Sequence, residues 1–229
     1  MSTQLRLDLP VRTALGRRDF FVSDANALAV AQVDRWRDWP SRKMILTGPP
    51  KSGKTHLCHV WKNEAQAEIV PAEALPHLPI PALAQTSVCV EDVDQIAGNR
   101  DAEEALFHLH NMVLSEGHSL LLSAQKPPMH WDLCIPDLKS RMMGTDVAQL
   151  EKPDDQLLAA VLIKLFTDRQ IVPMPDVIPY LVRYMDRSFD AADRIVELLD
   201  SAALGTPRGV TRALASKVLK VLEINEEHP

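Results

Sequence analysis

With 229 residues, 46% of them hydrophobic and 24% charged, the chain has the composition of one large globular domain, or of a medium domain with a small appendage. That balance excludes a disordered chain, and no apolar run approaches the length of a membrane span. The net charge of −6 argues against tight autonomous binding of nucleic acid, because Lys and Arg are scattered, with a mild excess only at Arg17-Arg18 and at Arg208, Arg212, Lys217 and Lys220. No basic-then-apolar leader opens the sequence. Cys58, Cys89 and Cys134 are far apart and lack C-x-x-C spacing, which predicts free thiols in a reducing cytoplasm. His56 and His59 flank Cys58 without a carboxylate at ligand spacing, so no metal site is expected there.

Residues 1–18 carry no sustained periodicity and read as an exposed arm. From Asp19 to about Leu150, short apolar runs alternate with helical stretches, the pattern of an α/β fold with a parallel sheet. Strands are expected at 43–47, 67–70, 87–90, 119–123 and 146–150. The stretch 71–86 contains Pro71, Pro76, Pro79 and Pro81 and reads as irregular. Residues 102–116 read as a helix with Ala105, Leu106, Leu109, Met112 and Val113 on one face. After Pro153 the texture becomes wholly helical. Asp154-Asp155 opens one helix, a second follows Pro175, and a third begins near Ser188 as N-cap and ends at Gly205. Thr206-Pro207 reads as N-cap and first position of a last helix carrying Val210, Leu214, Val218 and Leu219. The expected organisation is an arm over 1–18, an α/β domain over 19–152 and a small helical domain over 153–229.

The most specific motif is Gly48-Pro49-Pro50-Lys51-Ser52-Gly53-Lys54-Thr55, a complete G-x-x-x-x-G-K-T loop between an expected strand and a helix that runs on through His56. Its spacing follows from chemistry. Glycines let successive backbone N–H groups curl around phosphates, the lysine reaches the β- and γ-phosphates, and the threonine hydroxyl ligates Mg²⁺. The strand–loop–helix order aims a helix N-terminus at the anion. Such a site needs a second strand ending in acids, and Ser87-Val88-Cys89-Val90 followed by Glu91 and Asp92 supplies one. Thr55, Glu91 and Asp92 are therefore the candidate Mg²⁺ residues, with the two acids also placed to polarise an attacking water. Ser123, at the end of the next apolar run, is where a polar group can approach the γ-phosphate. Arg141 stands in Pro136-Asp137-Leu138-Lys139-Ser140-Arg141; it is either a surface arginine or a charge that projects to a neighbouring subunit's phosphates.

Taken together, these motifs resemble the AAA+ ATPases of the bacterial replication-initiator group, DnaA, and among them the short regulators of the Hda kind. Residues 19–26 (Asp19-Phe20-Phe21-Val22-Ser23-Asp24-Ala25-Asn26) look like the segment that packs on adenine in that group, which assigns Phe21 and Val22 to the nucleotide site. Glu91 to Gly98 is similar to the second acidic motif, and 136–141 to the arginine-finger box, which implies a catalytic role for Arg141. The residues after 153 look like the AAA+ lid. The resemblance implies a P-loop AAA+ domain of three layers followed by an all-α lid, binding ADP or ATP with Mg²⁺. It ends after the lid, without the helix-turn-helix domain of a full initiator, in keeping with the acidic charge. In the arm, Gln4-Leu5-Arg6-Leu7-Asp8-Leu9 resembles the peptide by which partners dock on the replication sliding clamp (the polymerase β subunit), Gln4 entering a polar pocket and Leu5, Leu7 and Leu9 an apolar one.

Two positions depart from the family pattern. Glu91 stands where an aspartate is usual, and octahedral Mg²⁺ tolerates the extra methylene poorly. Asp190 stands at the start of the third lid helix, where the group carries an arginine that reaches the phosphates; Arg187 or Arg194 lies about one turn away. The expectation is a cytoplasmic protein that prefers ADP, has weak intrinsic ATPase activity at most, and acts on DnaA. Docked on the clamp, it would promote ATP hydrolysis in the initiator's site and so restrain initiation, without strong direct DNA contact or membrane attachment. Homo-oligomers are compatible with the same features. Two other readings stay open: an autonomous ATPase resembling the DnaC/IstB-type helicase loaders, and an initiator fragment that binds origin DNA.

Overall fold

The computed structural model describes residues 21–203 and 209–227. Gln4, Leu5, Leu7 and Leu9 of the arm, and Gly205, Thr206 and Pro207, lie outside the described residues. The first half runs α1 (Ala27–Asp34), β1 (Lys43–Thr47), α2 (Lys54–Ala65), β2 (Glu68–Pro71), α3 (Ile80–Leu83), β3 (Val88–Glu91), α4 (Arg100–Ser115), β4 (Leu120–Ala124), α5 (Pro136–Met143) and β5 (Val147–Gln149). Every strand falls within a residue or so of its expected position. The five strands form one parallel sheet in the order β2-β3-β4-β1-β5.

Helices cover both faces of this sheet, and for that reason its central strands are continuous apolar runs rather than alternating ones. Met44-Ile45-Leu46 and Leu120-Leu121-Leu122 are buried throughout. The pleat sends Ile45, Val88, Val90, Leu120 and Leu122 into one core with Leu106, Leu109 and Val113 of α4. It sends Met44, Leu46, Cys89 and Leu121 into the other, with Val30 of α1 and Leu57 and Trp61 of α2. Trp61 is stacked on Trp39 at a centroid separation of 5.6 Å, closing the second core. The Pro-rich connection is not wholly irregular. It forms a 3₁₀ turn over Ala72–His77 and then α3, whose Pro81 occupies a first-turn position where a missing N–H costs nothing.

The second half is all helix: α6 (Asp155–Asp168), α7 (Val177–Tyr184), α8 (Phe189–Ala203) and α9 (Arg212–Glu227). These helices share their own apolar cluster, which includes Leu158, Leu162, Phe166, Leu181, Ile195 and Leu199. Asp154 caps α6 by accepting from the Leu157 N–H at 2.8 Å, and Ser188 caps α8 by accepting from Ala191 N–H at 3.1 Å. The last helix begins later than its sequence suggests. Gly209 has φ +60, a left-handed conformation that no helix starting at Pro207 could run through. The cap is Thr211, whose hydroxyl accepts from Leu214 N–H at 3.3 Å. Among the described residues, no helix is long and apolar enough to cross a membrane.

Candidate nucleotide site

The loop after β1 turns on two glycines. A Cβ on Gly48 would lie 2.7 Å from Ser52 Oγ and 2.9 Å from Leu150 O, closer than any side chain tolerates. Gly53, at φ +94, is the N-cap of α2, and Lys51 shares the left-handed conformation at φ +60. Pro49 and Pro50 lead into this bend. The ammonium of Lys54 is buried and donates to the carbonyls of Gly48 at 2.8 Å and Pro49 at 2.9 Å. Burial lowers its pKa, against the opposing pull of Asp92, Asp94 and Glu91. Thr55 follows in the first turn of α2 with its side chain exposed, and His56 comes next on the same helix.

The acids stand at the end of β3, which β4 separates from β1 in the sheet. Glu91 ends β3, and Asp92 turns the chain at φ +57 while its N–H donates to Ser123 Oγ at 3.2 Å. The serine at the end of β4 is thus tied to the acidic turn. Asp94, part of the acidic motif but without a role in the sequence reading, accepts from the N–H groups of Gln125 at 3.0 Å and Lys126 at 3.3 Å. It holds the loop after β4 in place. A carboxylate two residues beyond the paired acids was the only sequence signal for it.

Several polar atoms around the loop are buried without a hydrogen-bond partner: Thr47 Oγ1, Ser52 Oγ, Glu91 Oε1 and Asp94 Oδ1. Leaving such an atom unpaired costs roughly 1–3 kcal/mol, so a cluster of them marks a place built for a ligand. Hydroxyl donors, one ammonium and carboxylate oxygens together form the donor and acceptor set that a polyphosphate with a divalent cation requires. The residues fit that group.

The other residues of the expected site come from far along the chain. Phe21 and Val22 are exposed, at 54% and 42%. Their segment is fixed by Asn26, which accepts from Ser23 N–H at 2.9 Å and donates to Phe21 O at 2.9 Å. Ala25 N–H reaches Asp154 Oδ2 at 3.3 Å, setting the segment beside the β5–α6 junction. A cleft of about 320 Å³ opens between Pro49, Pro50 and Ser52 on one side and Lys152, Arg187 and Ser188 on the other. Across it Lys51 forms an ion pair with Asp190, and Phe189 N–H lies 3.5 Å from Lys51 O. The carboxylate that stands in place of the family's lid arginine is therefore paired with a loop cation. Arg187 lines the cleft and pairs with Asp155 at 2.6 Å. Arg194 lines a separate hollow of about 110 Å³ beside Tyr184 and Leu219. Arg141 is on α5, exposed, its guanidinium carbon 5.2 Å from the centroid of the Phe107 ring.

Solved structures share this architecture. Domain III of the Thermotoga maritima replication initiation protein DnaA superposes with a TM-score of 0.79 over 93% of this chain and 98% of that one, at 18% identity. AMPPCP-bound DnaA from Aquifex aeolicus gives 0.70 over 92% of this chain and 68% of that one, also at 18% identity. The chain has the AAA+ fold. An uncharacterized protein of Haemophilus influenzae is 29% identical over 186 residues, 77% of this chain and 80% of that protein. No protein-family model matches the chain.

Proposed function

We propose that the chain is an AAA+ regulator of replication initiation of the Hda kind, which binds adenine nucleotide itself and promotes ATP hydrolysis by the initiator DnaA. The observation that carries this reading is Arg141: a guanidinium exposed on α5 that rests on the Phe107 ring and, among the described residues, forms no ion pair. Arginines supplied across an interface stabilise charge on a transferring phosphoryl group and are worth roughly 10³–10⁵ in rate.

In its own site, residues 48–55 would cradle the phosphates, with Lys54 leaving the loop carbonyls for phosphate oxygens. Phe21 and Val22 would lie against the base, and Ser123 would stand near the terminal phosphate. Thr55, Glu91 and Asp92 would hold Mg²⁺, which when bound neutralises phosphate charge. The adenine preference is carried over from the AMPPCP-bound DnaA of similar fold. Asp190 favours ADP: a carboxylate paired to Lys51 holds one loop cation away from a third phosphate. The arm residues Gln4, Leu5, Leu7 and Leu9 would dock on the sliding clamp and bring Arg141 to the initiator.

The test is ATP hydrolysis by the initiator in the presence of DNA-loaded clamp, with and without this chain. Acceleration is expected, together with its loss in a Gln4→Ala/Leu5→Ala variant. No acceleration overturns the regulator, and strong turnover by the chain alone on single-stranded DNA favours a helicase loader.

A further inference from the structure

The helix that carries Arg141 is gripped at both ends by buried charge, and all of the grips lie on one face of α4 or beside it. Glu103 is wholly buried, an uncommon place for a carboxylate. It accepts from three backbone N–H groups: Gly98 at 2.9 Å, Cys134 at 2.8 Å, and Ile135 at 2.9 Å. Ile135 is the N-cap of α5, so the Glu103 carboxylate oxygens sit at the positive end of that helix. At the other end, Lys43 of β1, 8% exposed, donates to the carbonyl of Arg141 at 3.1 Å. Its ammonium also lies 3.3 Å from Nε2 of buried His110. With Nε2 accepting, the ring proton is on Nδ1 and is directed at Asn111 Oδ1, 3.2 Å away. Burial holds the His110 pKa down to about 4, with Lys43 and Arg141 adding to the effect, so the ring stays a neutral acceptor. Between the two grips, Phe107 lies against the Arg141 guanidinium. Positions 103, 107 and 110 are spaced i, i+4, i+7 and so share one face of α4.

We infer that Glu103 and the Lys43–His110 pair are positioning residues, which fix both ends of α5 and so aim the Arg141 side chain across the interface. The inference rests on the role proposed above for Arg141. Glu103 also joins the two halves of the site. Gly98 closes the turn that follows the acidic motif, and the same carboxylate that accepts from Gly98 accepts from the start of α5. The acidic turn and the arginine helix are thereby seated on one group.

The test compares Glu103→Gln with wild type and with Arg141→Ala, in the full-length chain, by clamp-dependent stimulation of ATP hydrolysis in the initiator. The carboxamide keeps the size of the side chain but points an N–H₂ at N–H donors. A small misplacement of a catalytic group costs on the order of 10²-fold, so the maximal stimulated rate should fall about 10- to 100-fold. The concentration of chain giving half-maximal stimulation should stay within about twofold, because contact surface is kept. Hydrogen exchange should quicken at residues 134–143 and stay unchanged in β4 and α6.

A wild-type maximal rate in Glu103→Gln, with Arg141→Ala inactive, overturns the positioning role alone. Full stimulation by Arg141→Ala overturns the reading on which it rests. A rate that falls only in step with the unfolded fraction, with exchange quickened across the sheet, makes Glu103 a fold-stabilising group and also overturns the inference. Should Glu103→Gln fail to fold, Lys43→Met carries the same expectation from the other end of α5, and a wild-type maximal rate there overturns it.

Discussion

The phosphate loop and the arginine helix draw on the same residue types and hold them in opposite ways. Around the loop, Lys51, Gly53 and Asp92 turn through left-handed backbone, hydroxyls of Thr47 and Ser52 are buried without partners, and Lys51 meets Asp190 in a half-exposed ion pair. Around α5, the two charged groups that hold the helix are buried and satisfied: Glu103 by three N–H groups, Lys43 by a carbonyl and an imidazole. A region that must receive a ligand keeps its polar atoms uncommitted. The helix proposed to present Arg141 is instead anchored at both ends by buried, satisfied groups. Both regions adjoin β1, the phosphate loop after Thr47 and the Lys43 grip at its first residue.

The sharpest way to break this comparison is Arg141→Ala. It should abolish stimulation of the initiator, a loss of roughly 10³-fold or more, while nucleotide binding by this chain, read by calorimetry, is unchanged. On the other side, Lys54→Ala should weaken nucleotide binding about 10- to 100-fold, the scale of lost hydrogen bonds to a charged group. Unaltered affinity would mean that the loop is not the site.

A third test concerns pH. His110 titrates at about 4 in the fold, against about 6.5 in an unfolded chain, because burial and then Lys43 and Arg141 disfavour its charged form. Between those values the unfolded chain takes up a proton that the folded one does not. The contribution to stability is complete above pH 6.5 and declines as pH falls toward 4, by at most about 1.4 kcal/mol per pH unit. Thermal unfolding from pH 7 to 4.5 should show this slope, and His110→Gln should be flatter. The smallest effect is expected from Asp190→Asn. Loss of an exposed ion pair changes stability by about 1 kcal/mol or less. Freed from its partner, Lys51 should raise ATP affinity relative to ADP by up to about fivefold, the same energy expressed as a binding ratio. An unchanged ratio removes Asp190 from nucleotide selection.

The parts of this molecule that were legible in its sequence are those whose cause is local. Leu120-Leu121-Leu122 reads as a strand because a strand buried on both faces has no reason to alternate. Residues 48–55 read as a phosphate loop because the spacing of glycine, lysine and threonine follows the shape of the ligand. Asp154-Asp155 reads as a helix start and Ser188 as a helix cap because these end effects act over about three residues. What escaped depends on distance along the chain. Glu103 followed by Glu104 looks like a solvated first turn, and the first of the pair is buried only because Cys134 and Ile135 return to it from 31 and 32 residues away. Lys43 opens a strand and meets Arg141, 98 residues on. The pairing of Asp190 with Lys51 was hidden in the same way: each side reads correctly alone, and their meeting across the cleft does not. Helix α1 was missed for a different reason, since exposed Leu28 blurs the apolar face formed by Ala29, Val30 and Val33.

In the proposed function the chain does its chemistry in another molecule's site. The most direct measurement is a single-turnover experiment with γ-labelled ATP pre-bound to the initiator, and with this chain carrying unlabelled ADP on DNA-loaded clamp. Rapid release of the label with the wild-type chain, and none above background with Arg141→Ala, is the predicted result. Equal release with both forms, or release only when the label is loaded on this chain, would contradict it.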